Sequence, residues 1–294
     1  PASLTRNGSD RIHEGQDQLE SQQIGTFTRW WNSYLEPRGY PVTDLCTQIQ
    51  DGVIAFRMLE ALEELPPAPV HRGKIRATIG GANMVIEATP TLKVQRADNL
   101  NQFVKVVTAE KGIHLVNIGG EDLEAGKHDL VLGLTWELIK FYEGLGSHKM
   151  VGDSISSDLL EWVRKEAAGV NVAKGAVAWT SSFKDGQVFA AIMNKAHPEI
   201  FGDKRDYEAV RAMPDIDRVN LCFKVAEAQL DVPKLLEASA VVAGESDTLS
   251  MTTYVAKLRK AIMESEEEKA VRRAKAEAVA SARTEEKAAA EKLT

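Results

Sequence analysis

Sulfur chemistry has little to work with in this chain, which holds only two cysteines, Cys46 and Cys222, far apart and in no CxxC pair. That argues against a disulfide framework or a zinc knuckle and suits a reducing cytoplasm. Long apolar runs are missing too. No stretch of about eighteen apolar residues could cross a bilayer, and residues 1–23 are polar rather than a charged-then-apolar signal. The expectation is a soluble cytoplasmic protein with no transmembrane segment. Excess basic charge is also lacking: the formal net charge is −7, so nucleic acid is not an expected partner, although local basic patches remain compatible with an acidic protein partner.

Motifs for catalysis are equally sparse. His71, His114, His128 and His197 are scattered without ligand spacing, and there is no HExxH. Gly73-Lys74 lacks the upstream glycine and the following Ser or Thr of a phosphate-cradling loop, and Ile118-Gly119-Gly120 is not GxGxxG. Asp51-Gly52 and Asp185-Gly186 are not set in the oxygen-rich loop that surrounds calcium, so a turn or the start of a helix is their expected role. No metal and no cofactor is expected, and no nucleophile, base and metal constellation supports an enzyme.

What the chain does have is 294 residues with 44% hydrophobic content, enough for two cores. Ile24, Phe27, Trp30, Trp31, Tyr34 and Leu35 share one side at helical spacing, opposite Thr28, Arg29, Asn32, Ser33 and Glu36. A second amphipathic segment places Ile155, Leu159, Trp162 and Val163 opposite Ser157, Glu161 and Arg164. Each is followed by an Asp-Gly pair and an apolar helix, and Trp30 to Trp162 is nearly the same interval as Asp51 to Asp185. The chain is therefore an internal duplication. Asn101 and Asn220 stand closer than that interval, so the first copy carries extra residues between Leu65 and Asn99. Pro66-Pro67-Ala68-Pro69 breaks the preceding helix there, and Ile79-Gly80-Gly81-Ala82 can turn. A hairpin from Lys74 to Ala88 and a long irregular loop both fit, with the loop the favoured expectation.

The domain reading is a mobile arm over 1–23, a first domain over 24–146 with its insertion near 66–92, and a linker over 147–153. A second domain over 154–263 and a charged helical tail over 264–294 complete it. The tail is rich in Ala, Glu, Lys and Arg, and Val271, Val279 and Leu293 make a poor heptad seam, so a solvated single helix or frayed tail and a monomeric chain are expected.

These residues resemble a known family, the tandem calponin-homology actin-binding domains of α-actinin, spectrin, filamin and fimbrin. Phe27-Thr28-Arg29-Trp30-Trp31-Asn32-Ser33-Tyr34-Leu35 is similar to the opening helix of the first domain. Leu115-Val116-Asn117-Ile118-Gly119 with Leu130-Val131-Leu132-Gly133-Leu134-Thr135-Trp136 is similar to its closing segment. Leu159-Leu160-Glu161-Trp162, residues 179–186, Val225-Ala226-Glu227, residues 232–236 and residues 251–255 resemble the second type. The likeness covers roughly residues 24–263, and a single tandem followed by a charged helix resembles the α-actinin layout more than fimbrin's repeated tandems. Departures are Arg218 where the family usually has Asn, Asn194 where His is common, Ala125-Gly126-Lys127 in place of Asp-Gly-Asn, and the insertion.

The resemblance implies an all-α fold of two calponin-homology helical domains and an F-actin-binding module of a cytoskeletal crosslinking or anchoring protein. A signalling or scaffolding module that holds other proteins is the alternative. It implies three filament-contacting segments near 26–36, 128–142 and 155–166. On the first, Thr28, Arg29, Asn32 and Ser33 are the candidates, and on the third Ser157, Glu161 and Arg164. On the second, Leu132, Trp136 and Ile139 lie together as expected core. Leu130, Leu134 and Phe141 lie nearly opposite, either as contact surface or buried against a neighbouring element. Trp30, Trp136 and Trp162 are read as core. A phosphoinositide headgroup is a further implied partner of the second domain, with Lys174, Lys184 and Lys195 as basic contacts, ordinary solvated lysines being the alternative.

Overall fold

The structure, a computed structural model, describes residues 8–145, 152–167, 169–173 and 178–291; the side chains of 8–17, 152–157 and 282–291 are not among those described. Most of the expected 147–153 linker falls outside these residues. The chain forms two compact units. Unit A comprises residues 28–155 and 259–294, and unit B residues 1–27 and 156–258.

Helix α1 (Gly8–Leu35) serves both units. It starts well upstream of Ile24, where the arm was expected to end. Gly8–Gln23 lacks an apolar stripe, so periodicity could not register it, but Glu14, Gln16, Gln18, Leu19 and Glu20 are good helix formers. Trp30, Trp31 and Leu35 are fully buried. Pro37 and the left-handed Gly39 (φ 76°) end the helix through a 3-10 turn, Glu36–Arg38.

Unit A continues with α2 (Leu45–Gln48), capped by the Asp44 side chain accepting from Thr47 N–H, and α3 (Val53–Leu62). Asp51-Gly52 is the helix-starting turn that the sequence predicts: Gly52 has φ 75°, and Asp51 Oδ1 accepts from Val53 N–H at 2.7 Å. A Cβ at residue 52 would stand 2.5 Å from Asn99 Cβ, which forces glycine twice over. The proline-rich exit of α3 is fixed by a buried ion pair. Arg57 Nη1 donates to Glu60 Oε2 at 2.7 Å and to Ala68 C=O at 3.0 Å, while Glu60 Oε1 accepts from Ala68 N–H at 2.7 Å.

The insertion is a sheet, not the favoured irregular loop. β1 (Val70–His71), β2 (Lys74–Ile79) and β3 (Ala82–Glu87) form an antiparallel meander, with Val70 opposite Ile75 and Ile79 opposite Ala82. Its two turns, Arg72-Gly73 and Gly80-Gly81, have positive φ at both central residues, which matches the right-handed twist of the strands. Ile75, Ile79, Met84 and Ile86 point inward and are buried. Strand alternation was legible in Lys-Ile-Arg-Ala-Thr-Ile, but six residues are too few to outweigh a length prior. The free edge of β3 is closed by α4 (Lys93–Lys105), whose Gln102 accepts from Val85 N–H at 2.9 Å and donates to Val85 C=O at 2.7 Å. One helical turn earlier, Asn99 does the same to Glu87. Two helix side chains thus imitate a fourth strand.

α5 (Gly120–Glu124) and α6 (His128–Tyr142) complete the core of unit A. Arg96 on α4 donates to Glu124 Oε1 from Nε at 3.0 Å and from Nη2 at 2.7 Å. Trp31 Nε1 donates to Thr135 Oγ1 on α6 at 3.2 Å.

Unit B contains α7 (Gly152–Glu166), α8 (Ala178–Ser181), α9 (Gln187–Ala196), α10 (Lys204–Ala212), α11 (Asp215–Leu230), α12 (Ala238–Ala243) and α13 (Thr248–Met263), the last running on into unit A. Its core is aromatic: Trp179 stacks on Phe183 at 5.8 Å, and Phe189, Phe223 and Tyr254 pack edge to face at 4.8 to 5.6 Å. Asp185-Gly186 repeats the helix-starting turn, with Gly186 at φ 69°. α14 (Glu266–Glu291) returns to unit A.

Candidate functional site

On α1, two tryptophans must be enclosed side by side, which widens the buried face and leaves little of the polar side free. Thr28 is drawn under it and is 9% exposed, so it does not offer the surface expected of it. Asn32 Nδ2 donates to Val42 C=O and Asn32 Oδ1 accepts from Val42 N–H, both at 2.7 Å, which pins the chain that follows the helix. Ser33 Oγ donates to Trp30 C=O at 2.7 Å. Arg29 is half-buried, as are Asn32 and Ser33. At the far end of α1 the Glu143 carboxylate accepts from Trp30 Nε1 at 2.7 Å and from Tyr34 Oη at 2.8 Å. Burial, then the Glu143 charge, pushes the Tyr34 hydroxyl well above the ordinary tyrosine range.

On α6 Leu132 and Ile139 are core as expected, while Leu134 and Trp136 exchange their expected places. Val131, Leu134, Thr135 and Leu138 form the buried stripe, flanked by Leu132 and Ile139. Leu134 is fully enclosed because it shares the face of Thr135, which Trp31 engages in the core, so it is corrected from contact to core. Trp136 is half-exposed instead of core. It falls on the outer side with Gly133, Glu137 and Lys140, while Leu130 is half-exposed at the edge and Phe141 is 38% exposed. Nothing in the apolar pattern separated these faces. The usable signal was Thr135, a polar residue whose hydroxyl could satisfy a buried indole.

On α7, Leu159, Leu160 and Val163 are buried, Trp162 is half-buried and Glu161 is exposed. Arg164 is turned to structure, with Nη2 donating to Ala173 C=O at 2.9 Å. The Ser157 side chain lies outside the described residues. So does Lys174. Lys195 Nζ meets Glu166 at 2.9 Å and donates to Lys165 C=O at 2.9 Å, so its charge is already partnered, whereas Lys184 is exposed with its stem against Gly244.

Burial pushes the Cys222 thiol up to about 12, against the pull of Arg218, which is the opposite of an activated thiolate. Burial likewise raises Tyr254. Among the described residues no group of three or more His, Cys, Asp or Glu side chains could hold a metal ion. No described helix is long and apolar enough to cross a membrane.

Two helical units, each with a Trp-bearing opening helix and an Asp-Gly turn, restate the duplication in three dimensions. The pattern of the calponin homology (CH) domain matches residues 21–144 and again residues 153–264. The chain belongs to the calponin homology domain family. Human α-actinin-4 is 30% identical over 241 residues, which is 80% of this chain and 23% of that protein. Human α-actinin-1 is 29% identical over 240 residues, 80% of this chain and 24% of that protein. The chain thus spans about a quarter of the length of these relatives. The actin-crosslinking core of Schizosaccharomyces pombe fimbrin shares the fold, with a TM-score of 0.52 at 17% identity over 82% of this chain and 48% of that one. The first CH domain is the one with the inserted sheet, and the second carries Arg218 at the position repeating Asn99.

Proposed function

We propose that this tandem of CH domains is a filamentous-actin-binding module of a cytoskeletal crosslinking or anchoring protein, and that it acts by surface complementarity without catalysis. The observation that carries the reading is the pair of CH domains matched over residues 21–144 and 153–264, in a chain 30% identical to α-actinin-4 across 80% of its length. In the first CH domain the contact surface is Arg29 on α1 together with the outer side of α6, where Leu130, Trp136 and Phe141 offer apolar area beside Lys140. A half-exposed tryptophan and a phenylalanine are the side-chain types that contribute most when removed from water at an interface. In the second domain Glu161 on α7 is the accessible candidate. A phosphoinositide headgroup finds weaker support, since Lys195 is neutralised by Glu166. The module acts as a monomer in the cytoplasm and does not bundle filaments alone, because one tandem supplies one filament contact.

High-speed co-sedimentation with purified actin filaments tests the surface. Phe141→Ser and Arg29→Glu should each lower pelleting with the filaments while leaving the melting temperature within about 2 °C of the parent, as surface changes do. Unchanged binding by both variants would remove this face from the interface.

A further inference from the structure

α14 was expected to be a solvated helix, yet it lies in unit A with one side covered. Lys269 is 6% exposed and Val279 8% exposed, with Arg272 half-buried between them, and this spacing makes a single stripe along the helix. The helix packs beside the turn Glu36–Arg38 at the end of α1. Lys275 Nζ forms an ion pair with Glu64, at the end of α3. The charge of Arg272 acts on the Tyr34 hydroxyl. Just upstream, the basic end of α13 takes hold of the end of α6: Arg259 Nη2 donates to Gly144 C=O at 2.6 Å and Lys260 Nζ to Tyr142 C=O at 2.9 Å. Lys260 Nζ also stands 3.8 Å from Glu143 Oε2. The Tyr142 carbonyl belongs to the last turn of α6 and Gly144 follows its C-cap Glu143; at such a helix end acceptors are left over and the dipole is negative, so cations are favoured there.

The attachment is electrostatic. Val279 is the one large apolar side chain buried among the described residues of α14, and Val271 is 55% exposed. The ion pair of Lys275 with Glu64 is about half-exposed on both sides, so water and salt weaken it. A helix held this way seats readily and leaves readily. It packs beside the turn that ends α1, and the charge of Arg272 reaches Tyr34, whose hydroxyl donates to Glu143 just past the end of α6.

We propose that α14 is a detachable strap on the first CH domain, which competes with the actin filament for the corner formed by the ends of α1 and α6. The inference rests on the filament-binding reading above and adds the regulation of that same face. Anything that captures α14 would raise filament affinity.

The test uses the full chain and two opposite charge reversals that break one ion pair, Lys275→Glu and Glu64→Lys, together with the double variant that restores it in reverse. A general charge effect on filament binding would move the two single variants in opposite directions. Release of a strap moves both the same way. Each single variant should bind filaments roughly two- to five-fold more tightly, the range a surface pair supplies, and the double variant should return to the parent value. Hydrogen exchange across α14 should be faster in both single variants, and faster in the parent once filaments are added. Opposite shifts, or unchanged affinity in both, would overturn the strap. If no form of the chain binds filaments, the proposed function itself falls, and with it this inference.

Discussion

Asn99 donates its side-chain amide to the backbone carbonyl of Asp51 at 2.9 Å, tying α4 to the turn that starts α3. The same amide donates to Glu87 C=O at 3.0 Å and accepts from Glu87 N–H at 2.9 Å, so one side chain joins a turn, a helix and a strand edge. In the second domain Arg218 takes this place, donating from Nη1 to Asp185 C=O and from Nε to Val210 C=O at 3.1 Å. The departure from the family's usual Asn therefore keeps the tie to the turn and extends it. Asn99→Ala strands buried backbone groups on both sides and should cost about 2 to 3 kcal/mol in urea unfolding. A loss below about 0.5 kcal/mol would mean that water replaces the amide without penalty.

Leu134 and Trp136 give the sharpest contrast on α6. Leu134→Ser leaves a core cavity with a hydroxyl in it and should destabilise the first domain by about 3 to 5 kcal/mol. Trp136→Ala removes a half-buried ring and should cost less, about 1 to 2 kcal/mol, while weakening filament binding. Thermal melts of the two variants decide the order, and a more damaging Trp136→Ala would reverse the assignment of faces.

The inserted sheet belongs to the core. Ile75, Ile79, Met84 and Ile86 are at most 2% exposed, and complete burial of such side chains contributes about 1.5 to 3 kcal/mol each. Their sum rivals the whole stability of an ordinary domain. Replacing residues 70–88 with a short Gly-Ser turn should abolish cooperative unfolding of the first domain, read by circular dichroism. A preserved sharp melt would show the sheet to be an ornament.

Acid should loosen the tie between α4 and α5. Glu124 is 7% exposed, and the Arg96 hydrogen bonds, aided by Lys93, hold its carboxyl below the ordinary 4.5. A depressed carboxyl contributes fully above its unfolded value and loses that contribution as pH falls through its folded value. Glu60 works in the opposite sense. Burial raises it despite Arg57, so its contribution declines as pH rises from 4.5 through the folded value. Glu124→Gln should flatten the fall in melting temperature below about pH 4.5, whereas Glu60→Gln should leave that limb intact. The same acid limb in parent and Glu124→Gln would assign it elsewhere.

The duplication, the Asp-Gly turns and the Trp30 core position were legible in the sequence because each is fixed by contacts near in the chain or by apolar spacing. The closure of β3 by Asn99 and Gln102 was not, since amides at helical spacing look the same whether they face water or a strand edge. Leu134 and Trp136 could not be told apart while both sides of α6 were apolar. The cover over Lys269 and Val279 was hidden for the opposite reason: a helix attached through charges carries no hydrophobic pattern to announce the attachment.

Filament binding by the whole chain is measured directly by co-sedimentation across a concentration series at several salt concentrations. The expected result is saturable pelleting with filaments, absent when filaments are omitted, together with a monomeric mass in solution and no bundles at low speed. A chain that stays in the supernatant at every filament and salt concentration, while giving a cooperative melt that proves it folded, would contradict it.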